Sequence, residues 1–207
     1  MPNDIKLRIF CTGVGGQGTL LATRLLGEAA MAAGFMAQVS ETHGMAQRGG
    51  VVESTLVLGA LSSPIISLGE ADILIGFEVL ETFRSLNRCH ANTLVVTNIG
   101  VNVPYTVATG QTTYPPVAEM LNILQDSVGR LIGLNANDLA LQAGSALAVN
   151  MVLLGALLST GRLPFEPEIL VKVVQTHTPS KHLTTNLQAF NLGREAAMTL
   201  TAAPIHK

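Results

Sequence analysis

The chain has 207 residues, 48% apolar, 13% charged and 4% aromatic, with 12 Lys and Arg against 14 Asp and Glu for a net charge of −2. Soluble domains carry about 25% charged residues, so the charge here is roughly half the usual; the apolar fraction excludes intrinsic disorder, and the lack of a Lys/Arg cluster argues against a nucleic-acid binder. Two cysteines, Cys11 and Cys89, are too few for a four-cysteine iron–sulfur cluster or a disulfide scaffold, which makes a reducing cytoplasm the expected compartment.

Ile5–Thr12 reads as a strand, with Ile5, Leu7, Ile9 and Cys11 on one face and Phe10 on the other, a pattern of burial on both sides. A glycine-rich turn, Gly13–Gly18, leads into a helix from Thr19 to Ala33 with Leu21, Leu25, Ala29 and Ala32 at helical spacing, and Gly34 as its stop. Phe35–Ser40 is a second short strand, Glu41–Gly50 a loop and Val51–Leu58 a β-rich run. Ala71–Phe77 predicts a buried strand, Glu78–Arg88 a helix and Thr93–Thr97 another strand. Pro115 and Pro116 open a helix through Leu124, and Arg130–Leu134 forms a last strand. Three helices follow: Leu139–Ser159, Glu166–Gln175 and His182–Glu195.

No charged residue occurs from Leu139 to Gly161, a length that would span a bilayer. Its many small residues, its Gln142, Ser145 and Asn150, and the absence of flanking aromatic or basic anchors point instead to a helix buried inside the protein. Strands alternating with helices over the first two-thirds predict a single α/β domain spanning residues 1–207. Its expected form is a Rossmann-like, three-layer, mostly parallel sheet with a helix-rich C-terminal third.

Gly13-Val14-Gly15-Gly16-Gln17-Gly18 fits G-x-G-x-x-G between a strand and a helix. Glycines there permit positive φ and close backbone approach, and amides at the start of the helix suit an anion such as a phosphate. A tight turn that only packs helix on strand satisfies the same pattern, so ligand binding stays open on pattern alone. If the ligand were NAD, an acidic residue about 20 positions downstream should hold the ribose, and Glu41 stands in that region. The loop that follows concentrates chemistry: His43, Gln47, Arg48 and Gly44, Gly49 and Gly50 lie within eight residues. On a parallel sheet this loop leaves the carboxyl end of a strand, the edge where ligands bind. Arg48 would clamp a phosphate or carboxylate, Gly49 would let backbone approach, and His43 would donate a hydrogen bond or relay a proton.

Together, Gly13–Gly18 and Glu41-Thr42-His43-Gly44-Met45-Ala46-Gln47-Arg48-Gly49-Gly50 resemble the small, γ-type subunit of the 2-oxoacid:ferredoxin oxidoreductases, and the His-Gly-Met-Ala-Gln-Arg-Gly-Gly form resembles the indolepyruvate branch. Asn150-Met151-Val152-Leu153-Leu154-Gly155, Asn186–Phe190 and Gly193 extend the likeness to the C-terminal third. The resemblance implies a subunit of an enzyme that converts an aryl 2-oxoacid and coenzyme A to acyl-CoA, carbon dioxide and two electrons for ferredoxin. It implies coenzyme A contacts at Gly13, Gly15, Gly16, Gln17, Gly18, His43, Arg48 and Gly49. Thiamine diphosphate and iron–sulfur clusters would lie on a large α subunit, because neither a thiamine diphosphate motif nor a cluster-binding cysteine pattern occurs here. A self-contained NAD-dependent dehydrogenase using Glu41, and a non-catalytic assembly module, are the competing readings. His177 and His182 are separated by a proline-containing pentapeptide spacing that does not suit a shared metal face.

Overall fold

In the computed structural model, residues 5–43, 50–61, 63–101 and 113–202 are described. Six strands form one sheet: β1 (Leu7–Val14), β2 (Ala37–His43), β3 (Val51–Leu58), β4 (Ala71–Gly76), β5 (Cys89–Asn98) and β6 (Arg130–Leu134), in the order β2-β3-β1-β4-β5-β6. β1, β4, β5 and β6 pair in parallel, whereas β3 runs antiparallel to both β1 and β2. Five strands therefore point one way and β3 alone points back, a mixed sheet within an α/β fold. The reversal has a local cause: β2 returns through the short 44–50 connection straight into β3, and a connection that short permits only an antiparallel neighbour.

Period-two alternation sorts the side chains. Leu7, Ile9, Cys11, Leu56, Leu58, Ile73, Ile75, Leu94, Val96 and Ile132 share the main core. Phe10, Val57, Leu74 and Val95 point to the other face, where Ile66, Leu61 and Val128 cover them. The main core is roofed by α1 (Thr19–Ala32), α5 (Val149–Leu158), α6 (Pro167–His177) and α7 (Ser180–Ala202). A smaller cluster joins α2 (Val79–Arg84) to α3 (Val117–Ser127) through Val79, Leu80 and Met120. The helical covering is thus concentrated on one face. α1 ends as its sequence predicts: Gly34 adopts φ +87°, its N–H donates to the Met31 carbonyl (2.9 Å), and the Phe35 N–H donates to the Ala30 carbonyl (3.0 Å), a Schellman stop.

Several boundaries depart from the sequence reading. The single helix expected over Leu139–Ser159 is two helices, α4 (Ala136–Gln142) and α5, separated by a 3-10 turn at Ala146–Ala148. Gly144 at φ +100° breaks the first, and the Ser145 hydroxyl, accepting from the Leu147 N–H (3.2 Å), starts the next turn. The expected helix at Glu78–Arg88 shortens to α2 followed by a 3-10 turn, Leu86–Arg88. Finally, Gly13 and Val14 continue β1, and Glu41–His43 continue β2, because both segments find ladder partners in Val51–Ser54. All ten residues of α5 are buried, which explains the uncharged stretch without a membrane. No described helix is long and apolar enough to cross one.

Candidate functional site

The two sequence motifs meet at the carboxyl ends of β1 and β2. Val14 pairs with Val51 and His43 with Val52, so β1 and β2, which flank β3, end at the same edge of the sheet. The Gly15 N–H then donates to the Gly50 carbonyl (3.0 Å), closing the two motifs against each other. Gly44–Gly49, including the predicted contacts Arg48 and Gly49, fall outside the described residues, and of His43 only the backbone is described.

Each glycine of the turn answers a different constraint. A Cβ on Gly13 would lie 2.7 Å from the Phe77 Cβ and 2.8 Å from the Gln17 Oε1, so its place is set by close packing. Gly16 has φ +99° with open space where a Cβ would project, and Gly18, the residue before α1, has φ +81°. L-residues pay about 1–2 kcal/mol for that region. No side chain caps α1, which leaves its first-turn N–H groups to an outside acceptor. Buried hydroxyls bracket the turn: Thr12 and Thr19 are 0% and 3% exposed, and neither Oγ1 has a hydrogen-bond partner.

Gln17, expected to touch ligand, has its side chain committed within the turn: Oε1 accepts from the Val14 N–H (2.7 Å), and Nε2 donates to the Phe77 carbonyl (3.2 Å). The Gln17 N–H also donates to the Val14 carbonyl (3.2 Å). A cleft of about 280 Å³ opens beside it, lined by Gly16 and Gln17 on one side and by Asn137, Leu141, Ala146, Leu147 and Val149 on the other. Leu147, 81% exposed, and Leu141, 60% exposed, form an apolar wall. Among the described residues no Lys or Arg lines the cleft, so their positive potential comes from the helix start.

Two polar groups stand beside the turn. Asn98 ends β5 fully buried, with every donor and acceptor of its amide engaged. Glu78, 1% exposed, caps α2 by accepting from the Glu81 N–H (3.1 Å) and accepts a short hydrogen bond from the Tyr114 hydroxyl. Burial, with Glu78 beside it, pushes the Tyr114 phenol above its ordinary range, and burial raises the Glu81 carboxyl although Arg84 opposes that. A carboxylate opening a helix was visible in the sequence; its tyrosine partner, a distant residue, was not.

Both thiols are held in the protonated form by burial. Burial pushes Cys11 up to about 12 and Cys89 to about 11, and a thiolate is the ligating form. With two cysteines in all, this chain does not fit an iron–sulfur cluster. Among the described residues no group of three or more His, Cys, Asp or Glu side chains could hold a metal ion.

Residues 8–196 match the family described as Pyruvate ferredoxin/flavodoxin oxidoreductase. The chain is 39% identical over 193 residues to "Indolepyruvate oxidoreductase subunit IorB" of Methanothermobacter thermautotrophicus, covering 93% of this chain and 98% of that one. It is 37% identical over 195 residues to the subunit of the same name from Archaeoglobus fulgidus, covering 94% and 97%. The fold is similar to that of the keto/oxoacid ferredoxin oxidoreductase gamma subunit from Geobacter sulfurreducens, with TM-score 0.68, 23% identity, and 93% and 99% of the two chains covered. It is also similar to part of the 2-oxoglutarate:ferredoxin oxidoreductase from Magnetococcus marinus, with TM-score 0.71 and 20% identity, covering 97% of this chain but 32% of that one. The sheet with its glycine turn is that of a small oxidoreductase subunit. The chain belongs to the pyruvate ferredoxin/flavodoxin oxidoreductase family, as a small subunit of a 2-oxoacid:ferredoxin oxidoreductase.

Proposed function

We propose that this chain serves an indolepyruvate or related arylpyruvate:ferredoxin oxidoreductase by binding coenzyme A at the glycine turn and docking on a large α subunit. The observation that carries the reading is the Gly15–Gly50 hydrogen bond, which sets the glycine turn beside Gly50, two residues after Arg48 in the chain. The reaction of the whole enzyme is 2-oxoacid anion plus CoA-SH giving acyl-CoA, carbon dioxide, two electrons and one proton. Thiamine diphosphate on the α subunit would supply the carbanion chemistry of decarboxylation, and clusters there would carry the electrons to ferredoxin.

This chain's part is recognition. Backbone N–H groups at Gly16, Gly18 and the start of α1 would donate to a coenzyme A phosphate, reinforced by the helix dipole. Arg48 would add a charge-assisted contact, Gly49 close backbone approach, and His43 a further hydrogen bond. The apolar wall of Leu141 and Leu147 would exclude water beside the bound thioester arm. With no redox centre of its own, the isolated chain would not turn over.

Isothermal titration of coenzyme A into the assembled complex tests the site. Gly16→Val and Arg48→Ala are each expected to weaken binding by about tenfold or more. Unchanged affinity in both would remove coenzyme A from this edge.

A further inference from the structure

Asn98 is fully buried at the carboxyl end of β5, one strand beyond β4, and bonds to one wall of the cleft at Asn137 and, through the shared Phe77 carbonyl, is linked to the other at Gln17. Its Nδ2 donates to the Phe77 carbonyl (3.1 Å) and to Asn137 Oδ1 (3.0 Å). Its Oδ1 accepts from the Gly100 N–H (2.9 Å) and from the Ala136 N–H (3.0 Å) at the start of α4. The same Phe77 carbonyl accepts from Gln17 Nε2, whose Oε1 holds the Val14 N–H. A continuous chain of amides thus runs from the glycine turn, through Gln17, the Phe77 carbonyl and Asn98, to Asn137 and α4. Gln17 and Asn137 are opposite walls of one cleft.

We infer that Asn98 is a positioning residue that sets the separation between the glycine turn and α4, and so tunes how tightly the cleft holds coenzyme A. The inference rests on the coenzyme A reading above and deepens it. Two features mark the amide as chosen for geometry. Its two donors and two acceptor sites are all used, so neither a carboxylate nor a hydroxyl can replace it. The space around it is also tight: a Cβ on the neighbouring Gly100 would lie 2.5 Å from Asn137 Nδ2 and 2.8 Å from Asn135 Oδ1. Because a fully satisfied buried network is rigid, its loss moves the walls rather than merely softening them.

Asn98→Asp tests this in the assembled oxidoreductase. It preserves shape and the contacts to Gly100 and Ala136, but turns an acceptor toward the Phe77 carbonyl and Asn137 Oδ1. The expected result is a KM for coenzyme A raised about tenfold, with kcat within about twofold. The ratio of that KM to wild type should fall as pH is lowered and the new carboxyl regains a proton to donate. Gln17→Ala combined with Asn98→Asp should be less than additive on KM, since both act through one carbonyl. Val174→Ala, buried in α6 away from the cleft, should lower the melting temperature and leave KM unchanged. If Asn98→Asp does not assemble, Asn98→Ser with the same KM measurement takes its place. A KM equal to wild type while Gly16→Val raises it overturns the positioning role alone. A KM unmoved by Gly16→Val as well overturns the coenzyme A reading and this inference with it.

Discussion

Two sets of glycines in this chain do opposite work. At the sheet edge, Gly16 and Gly18 take positive φ, and no atom lies within 4 Å of where a Cβ on Gly16 would sit. Between α5 and α7, Gly155 and Gly193 are packing residues: a Cβ on Gly155 would lie 1.9 Å from the Phe190 carbonyl oxygen, and one on Gly193 would lie 2.0 Å from that of Val152. These two helices touch backbone to backbone, and the C-terminal motif that resembled a family signature is this contact. Open space beside Gly16 points to a ligand; filled space beside the helix glycines points to stability. Asn150 joins the regions, since it lies in the first turn of α5 and its side-chain amide lies where a Cβ on Gly18 would project.

The contrast breaks most visibly at Gly155. Gly155→Ala should destabilise the chain by roughly 3 kcal/mol or more, because a backbone carbonyl cannot step aside as a side chain does; thermal unfolding reads it, and a melting temperature within two degrees or so of wild type would contradict the helix contact. Gly18→Ala should cost about 1–2 kcal/mol, chiefly for its left-handed backbone, since the neighbouring Asn150 amide is a movable side-chain end. Gly16→Ala should cost about 1 kcal/mol in stability, yet weaken coenzyme A binding more than Gly155→Ala does in any complex that still assembles. The reverse ranking in titrations would erase the distinction.

The smallest effect needs no substitution. Cys11 lies on β1 beneath the turn, and burial holds its thiol protonated from the ordinary 9.0 up to about 12. Alkylation of native protein at pH 8 should therefore label Cys11 more slowly than half-buried Cys89, whose thiol burial pushes to about 11. Between pH 9 and 12 the folded state keeps protons that the unfolded state releases. Stability must therefore fall as pH rises through that window, and not rise. Rapid Cys11 labelling would mean that the turn end of β1 opens locally.

Much of the site edge was legible in the sequence, because its signals are local. Strand, glycine turn and helix follow one another from Leu7 to Ala32, and Glu41–His43, where the second motif begins, end the next strand. What escaped depended on distant partners. Glu41–His43 became strand only because Val52–Ser54 pairs with them, and the direction of β3 is not encoded in its own alternation. The break at Gly144 was hidden in a stretch whose apolar character suits one helix or two. Ser180–Ala202 runs longer than the expected His182–Glu195, and its added ends at Ser180–Lys181 and Met198–Leu200 are exposed, so no apolar periodicity marked them. Asn98 was invisible because a lone asparagine after a strand says nothing about four partners.

The central claim is a division of labour between chains. It is tested most directly by coenzyme A-dependent reduction of a viologen dye with indolepyruvate, measured for this chain alone, for the large subunit alone and for the two combined. The account predicts substantial turnover only in the combination. Comparable turnover by this chain alone would contradict it.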